Sequence, residues 1–141
     1  MAKRFLVPVD GSAQQEKVVA AAIQQTRSAE DELLLYRVVE FPENLLMLPN
    51  YKAVVAKTES YVKDELEAVK SQLLQDQPQL KVTVLVEHGK GKQKIATFCR
   101  DYELSLDLVI MGVTGESAGN LTGSTTAYVV NHAPCNVLVV K

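Results

Sequence analysis

Short apolar runs alternate along the chain with longer stretches in which apolar residues recur every three or four positions. The runs predict strands that are buried on both faces. They lie at positions 5–10, 33–39, 80–86, 108–111 and 135–140. Stretches with helical spacing separate these strands, and the longest begins at Tyr51 and ends before Pro78. The chain is therefore predicted to alternate strands and helices, starting and finishing with a strand.

This alternation predicts an α/β fold in which a parallel sheet carries helices on both faces. Strands that are parallel and joined by helices are connected by right-handed crossovers. In such sheets a ligand binds beyond the carboxyl ends of the strands, at the point where the strand order reverses. The hydrophobic pattern alone leaves open which two strands flank that point.

The stretch 107–126 is the strongest candidate for binding chemistry. An apolar strand, Leu108–Met111, leads into a loop that contains several glycines, and the polar residues at 124–126 then lead into a helical pattern. At such a place free backbone N–H groups and the helix dipole converge on an anion. The stretch therefore predicts a phosphate site. The alternative is that the glycines only allow a long loop to turn.

Composition narrows the class of protein. A chain of 141 residues, 47% hydrophobic and 23% charged, fits one globular domain over residues 1–141. The net charge of -2 predicts no nucleic-acid partner, and no apolar run is long enough to span a membrane. Cys99 and Cys135 lack the spacing of metal ligands, so we expect reduced thiols in a cytoplasmic protein, with a disulfide as the alternative.

The segment 41–50 has no clear period. It places four consecutive apolar residues, 45–48, between Pro42 and Pro49. We expect these residues to pack on the surface of their own domain. A mobile lid and a patch buried against a partner chain are the alternatives.

Several segments, taken in their order, resemble the universal stress protein family. They are Val-Pro-Val-Asp-Gly-Ser at 7–12, Leu-Leu-Leu-Tyr-Arg-Val-Val at 33–39, His-Gly-Lys-Gly-Lys-Gln-Lys-Ile at 88–95, Asp-Leu-Val-Ile-Met-Gly at 107–112, and Gly-Ser at 123–124 with the closing stretch 131–141. The similarity covers about Arg4 to Lys141. It implies a five-stranded parallel sheet of order 3-2-1-4-5, Rossmann-like and adenine nucleotide alpha hydrolase-like, with its switch point between the first and fourth strands.

The resemblance also implies an adenine-nucleotide site at that switch point. On the adenine and ribose side it implies Asp10, the backbone of Val38, and the lining residues Pro8 and Val9. It implies Met111 and Gly112 as the opposite wall. The residues that it implies for the phosphates are Gly115, Gly123, Ser124 and Thr125. From the residues alone, Asp10 has an alternative role as a turn-forming or helix-capping carboxylate.

One departure from the family pattern concerns the phosphate loop. The ATP-binding branch has nine residues between its second and third glycines, whereas seven separate Gly115 from Gly123 here. The loop carries Glu116 but no lysine or arginine, so ATP is expected with Mg²⁺ and backbone dipoles as counter-charge. The lysines at 90, 92 and 94 are expected to face solvent, because their loop should lie about 14 Å, or three strand spacings, from the fourth strand.

The sequence therefore predicts a cytoplasmic, ATP-binding stress-response protein that acts as a dimeric regulator or sensor. Its dimer is expected to form through the apolar edge strand Asn136–Val140. A monomer whose edge is covered by the segment 41–50 is the alternative to the dimer. No catalytic residue is identified, and His88 and His132 are expected to be structural or surface residues. The alternative functions are a nucleotide-free dimeric interaction module of the same fold and a slow ATPase.

Overall fold

The computed structural model describes residues 2–101, 106–113 and 123–141, which form five strands and five helices. The strands are β1 (Arg4–Pro8), β2 (Glu32–Val39), β3 (Lys81–His88), β4 (Leu108–Gly112) and β5 (Asn136–Val140). The helices are α1 (Gln15–Gln25), α2 (Glu43–Leu46), α3 (Tyr51–Asp76), α4 (Gly91–Asp101) and α5 (Ser124–His132). Each predicted strand is present, and α2 is a single additional turn.

The strands form one parallel sheet in the order β3-β2-β1-β4-β5. Strand β1 is central, and its Phe5 pairs with Leu33 of β2 on one side and with Leu108 of β4 on the other. The fold class and the strand order 3-2-1-4-5 are confirmed. The order reverses between β1 and β4, which places the switch point between these two strands.

Two apolar cores, one on each face of the sheet, explain why the strand runs are apolar throughout. Alternate strand residues point to opposite faces. On one face the strands pack against α1 and α3 in a core that contains Phe5, Val7, Leu33, Leu35, Val19 and Leu66. On the other they pack against α4 and α5 in a core that contains Leu6, Leu34, Val109, Ile95 and Val129. Each such buried side chain contributes about 1.5–3 kcal/mol relative to an exposed one.

A buried carboxylate, Asp31, joins the start of β1 to the turn before β2. Its oxygens accept the backbone N–H groups of Arg27 at 2.8 Å, Lys3 at 2.9 Å and Ser28 at 3.2 Å. These bonds, that of Arg27 first and that of Lys3 second, lower the pKa of Asp31 below its ordinary value because they stabilise the charged form. Asp31 therefore fixes the amino-terminal end of β1 beside β2.

The two cysteines are free thiols, as predicted, and belong to the same core cluster on the α4 and α5 face. Cys99 is buried and Cys135 is half-buried. Burial first, and the neighbouring Cys135 second, raise the pKa of Cys99 to about 12. Cys99 is therefore an uncharged thiol at neutral pH and serves as part of the core.

The four apolar residues 45–48, expected to pack on the surface of their own domain, do so only in part, because Leu45 is half-buried whereas the three that follow are exposed. Met47 is 84% exposed, and Leu46 and Leu48 are also exposed. Helix α2 has four residues and none of them is buried. Helix α3 buries other residues, among them Val55 and Val62. Met47 and Leu48, which follow α2, are exposed and take no part in the core.

Candidate functional site

A cavity of about 420 Å³ opens at the carboxyl ends of β1, β2 and β4, where the strand order reverses. The amino-terminal ends of α4 and α5 also border it. All the predicted site residues that the structure describes line this cavity. They are Pro8, Val9, Asp10, Val38, Met111, Gly112, Gly123, Ser124 and Thr125. Gly115 lies outside the described residues.

The turn between β1 and α1 forms one wall and is held by its own side chains. The Asp10 carboxylate accepts the backbone N–H of Ser12 at 2.9 Å, which is the turn-forming role considered from the sequence. Gly11 has a φ of 77°, a left-handed conformation that favours glycine, and its N–H donates to the Gln15 side chain at 3.1 Å. Asp10 is exposed and borders the cavity, so it combines the turn role with a position at the site.

The opposite wall is the start of α5, which is fixed against the end of β4. The Gly123 N–H donates to the Val113 carbonyl at 2.8 Å, and the buried Thr126 hydroxyl donates to the Gly112 carbonyl at 2.7 Å. Helix α5 begins at Ser124 without a side-chain cap. The first N–H groups of a helix have no acceptor within it. Those of Ser124 and Thr125 have none elsewhere in the part of the chain that the structure describes. Within those described residues, no protein group competes with a ligand for them.

The second helix that points at the cavity, α4, has its amino-terminal end occupied by the protein itself. The Gly91 N–H donates to the carboxylate of Glu40, which follows β2. This carboxylate satisfies one N–H group and the positive end of the α4 dipole. Of these two helix starts, α5 is the one without a capping side chain.

The expected distance of the lysines from the site was wrong in one respect, whereas the predicted exposure holds for Lys90 and Lys92 and not for half-buried Lys94. The start of α4 reaches the cavity, and Lys92 Nζ lies 5.5 Å from the ring centroid of Tyr128 on α5. The reason is that the crossover from β3 to β4 passes over β2 and β1. Lys90 and Lys92 are nevertheless exposed, and Lys94 pairs with Glu87 at 3.4 Å. None of these lysines lines the cavity.

Sequence reasoning missed Arg37, near the carboxyl end of β2. Its side chain is half-buried and borders the cavity. Its Nη1 atom lies 2.9 Å from the position that a Cβ on Gly11 would occupy, so it rests against the β1–α1 turn. The available signal was one charged residue within the otherwise apolar run 33–39.

The histidines have local partners, as expected for structural or surface residues. His88 Nδ1 lies 3.3 Å from the Glu59 carboxylate, and His132 Nδ1 lies 2.8 Å from the Tyr128 carbonyl. Over residues 2–101, 106–113 and 123–141, no group of three or more His, Cys, Asp or Glu side chains could hold a metal ion. None of the helices in those ranges combines the length and apolar character needed to cross a membrane.

Taken together, the walls offer complementary chemistry to a ligand with a polar end and an anionic end. Asp10 presents an acceptor for hydroxyl or amino groups. Ser124 and Thr125 present N–H and hydroxyl donors on the wall formed by the end of β4 and the start of α5. The arrangement favours binding, because donors and acceptors face a shared space at the switch point of the sheet.

Comparisons with known proteins agree with this architecture. A putative universal stress protein of Staphylococcus aureus strain USA300 is 26% identical over 141 residues, which are 99% of this chain and 84% of the relative. The solved universal stress protein UspA from Lactobacillus plantarum is 26% identical, with a TM-score of 0.80 over 99% of this chain and 97% of that one.

Two further solved structures with the same fold carry nucleotides. A universal stress protein in complex with cAMP has a TM-score of 0.60 and 21% identity, over 98% of this chain and 95% of its own. A universal stress protein family protein from Arabidopsis thaliana with AMP bound has a TM-score of 0.57 and 16% identity, over 99% of this chain and 91% of its own. The model of the universal stress protein family matches residues 1–141, and this chain therefore belongs to that family.

Proposed function

We propose that this stress protein binds an adenine nucleotide in the cavity between β1, β2 and β4, and that it acts as a cytoplasmic regulator or sensor. The observation that carries the proposal is the uncapped start of α5, which borders the cavity on the β4 side, while Asp10 borders it just beyond the end of β1. Uncapped N–H groups at a helix start attract phosphate. The cavity of about 420 Å³ also lies within the usual range for small-molecule sites. The AMP and cAMP complexes of relatives with this fold support the choice of ligand.

In this proposal the ligand lies with its base towards β2 and its phosphates towards α5. The adenine and ribose contact Asp10 and the backbone of Val38, with Pro8 and Val9 beneath them. Met111 and Gly112 form the opposite wall. The phosphates accept hydrogen bonds from the donors at Gly123, Ser124 and Thr125, and we extend the same role to Gly115.

ATP is the nucleotide that we propose first, accompanied by Mg²⁺. Mg²⁺ at nucleotide sites is commonly held by phosphate oxygens, water and one or two side chains, and it neutralises phosphate charge. Asp10, an exposed carboxylate at the cavity, is the side chain that we propose as a ligand of Mg²⁺. The protein's own contribution is the N–H and hydroxyl donors of α5, which orient the phosphates.

We propose binding without efficient turnover. A general base must reach the water that attacks the phosphate. Among the described residues that line the cavity, the carboxylates are Asp10 and Glu40. Asp10 accepts the Ser12 N–H, and Glu40 accepts the Gly91 N–H on the side of β2, away from α5.

We further propose a homodimer through β5. Within the described part of the chain, this strand forms one edge of the sheet and pairs with β4. Its residues from Val137 to Val140 are half-buried, and the neighbouring Val130 of α5 is 48% exposed. An apolar edge strand is a template for pairing with a second chain, and a two-fold axis gives the simplest closed assembly. The segment 41–50 is a poor alternative cover, because α2 contacts α3 and Met47 projects outward.

The test of nucleotide binding is calorimetric titration of the purified protein with MgATP, AMP and cAMP, joined to a thermal-unfolding assay. Ligand at 100 times its dissociation constant should stabilise the fold by about 2.7 kcal/mol. Absence of heat and of any thermal shift with all three nucleotides at millimolar concentration would contradict the proposal. That result would favour the nucleotide-free interaction module, for which the seven-residue spacing between Gly115 and Gly123 is the supporting observation.

A further inference from the structure

Arg37 places a positive charge beside the cavity and forms no ion pair among the described residues. In the described parts of the chain it forms no hydrogen bond or ion pair, although the other arginines do. Arg4 pairs with Glu32 at 3.3 Å, and Arg27 donates to the Gln24 carbonyl at 2.8 Å. Arg100 lies 3.7 Å from the adjacent Asp101. Arg37 is thus the arginine whose donors are available.

The backbone around Arg37 holds this side chain at the edge of the cavity. The Val9 N–H donates to the Tyr36 carbonyl at 2.9 Å, which continues the pairing of the two chains beyond the end of β1. Gly11 lacks a Cβ, and a Cβ there would approach Arg37 Nη1 to 2.9 Å, so the glycine leaves room for the guanidinium. Strands β2 and β4 flank β1. The backbone of Arg37 is therefore on the β2 side, but its guanidinium reaches Gly11 just beyond the end of β1, between β2 and the start of α5.

Arg37 is the one basic side chain among the described residues that line the cavity. Its charged lining side chains, among the described residues, are Asp10, Arg37 and Glu40, and Glu40 already accepts the Gly91 N–H. The stretch 112–126 carries no lysine or arginine. A partly buried charge is costly unless it is paired, and a guanidinium matches phosphate through two parallel hydrogen bonds. An entering phosphate would therefore satisfy Arg37.

We propose that Arg37 is the phosphate-binding cation of this site and makes the cavity selective for nucleoside phosphates over the uncharged nucleoside. The inference rests on the proposed nucleotide function and adds to it a specificity-determining residue. It also accounts for a glycine loop without basic residues, because the positive charge comes from β2. The α5 donors then orient the phosphates while Arg37 supplies the charge.

The experiment compares the affinities of adenosine, AMP and MgATP for the wild type, Arg37→Gln and the matched surface control Arg100→Gln. We expect Arg37→Gln to weaken AMP and MgATP about tenfold to a hundredfold, as for loss of a charge-assisted hydrogen bond, and to leave adenosine within about twofold. Arg100→Gln should match the wild type for all three. The AMP affinity of the wild type should also fall more steeply with added salt than that of Arg37→Gln.

Three results would overturn the role of Arg37. They are unchanged phosphate affinity in Arg37→Gln, an equal loss for adenosine and the nucleotides, and no difference in salt dependence. Failure of the wild type to bind any of the three ligands would overturn the nucleotide function together with this inference. This outcome differs from the other three because it is seen in the wild type and does not depend on a variant.

If Arg37→Gln does not fold, Arg37→Lys tests the role of Arg37 instead. Lysine keeps the charge but lacks the planar pair of N–H donors, so the affinities of Arg37→Lys for AMP and MgATP should fall about threefold to tenfold while its adenosine affinity is unchanged. Wild-type affinities of Arg37→Lys for AMP and MgATP would contradict the proposed role of Arg37.

Discussion

Two charged side chains near β2, Asp31 and Arg37, have opposite surroundings. Asp31 precedes the strand and is satisfied by backbone N–H groups of Lys3, Arg27 and Ser28. Arg37 lies near the carboxyl end of the strand and has no partner among the described residues. Buried polar groups in folded proteins are normally hydrogen-bonded. Asp31 therefore contributes to stability, whereas Arg37 is available for binding.

Replacing Asp31 should destabilise the fold. Asp31→Asn removes the charge and turns an NH₂ group towards N–H donors, so we expect the free energy of unfolding to fall by about 1–3 kcal/mol at pH 7. Because the folded pKa of Asp31 is lowered, its contribution is complete above the unfolded value of about 3.9 and is lost as pH falls through the folded pKa. The difference between wild type and variant should therefore shrink in strong acid.

Urea unfolding at pH 7 and at pH 3 measures this difference, with exposed Asp64 on α3 changed to Asn as the matched control. Asp64→Asn should stay within about 0.5 kcal/mol of the wild type. Equal free energies of unfolding for Asp31→Asn and the control at pH 7 would show that the hydrogen bonds of the Asp31 carboxylate do not stabilise the fold.

At the scale of single elements, the strands were predictable because burial on both faces leaves an unbroken apolar run. The errors lie at element ends. Strand β1 stops at Pro8, before the predicted end at Asp10, because Pro8 has no N–H and Asp10 already forms the turn with Ser12. Helix α5 begins at Ser124, earlier than its apolar residues indicate, because its first turn is polar and is fixed by the Thr126 hydroxyl on β4.

The start of α5 can be tested with a substitution that removes its first N–H group. Proline suits the first position of a helix, and the preceding Gly123 has the extended conformation, φ -65° and ψ 157°, that a residue before proline adopts. Ser124→Pro should therefore keep the fold while weakening MgATP about tenfold to a hundredfold, the effect of one lost hydrogen bond to a charged group.

Ser124→Ala is the matched control, because it removes the hydroxyl but keeps the N–H. Calorimetric titration should give it an affinity between those of the wild type and Ser124→Pro, and thermal unfolding should show both variants folded. Equal affinities for the proline and alanine variants would mean that the backbone N–H of residue 124 does not contact phosphate.

At the scale of the whole molecule, the placement of the site followed from strand order, which came from family resemblance. Periodicity gave the elements but not their neighbours. The approach of α4 to the cavity was not predicted, because it depends on the crossover from β3 to β4, which passes over β2 and β1. Arg37 was missed for a related reason, since its meaning depends on Gly11 of the neighbouring turn. The loop residues 114–122, which include Gly115, lie outside the described residues.

The proposed dimer can be tested at the outward side of β5. The Val140 carbonyl accepts the Val113 N–H, so Val140 faces β4 and the backbone of Val139 faces the free edge. Val139→Pro removes an outward N–H without breaking the pairing with β4, a position where proline is tolerated. Sedimentation analysis should find Val139→Pro monomeric and the control Val139→Thr dimeric. A monomeric wild type, or a proline variant that still dimerises, would contradict the proposed edge.

The central claim is that the switch-point cavity holds a nucleotide with its phosphates at the start of α5. A crystal structure of the protein grown with MgATP or AMP tests this most directly. The account predicts phosphate oxygens within hydrogen-bonding distance of the Ser124 and Thr125 N–H groups, the Arg37 guanidinium turned towards them, and the base beside Val38. A cavity without nucleotide at saturating concentration, or phosphates bound away from α5, would contradict it.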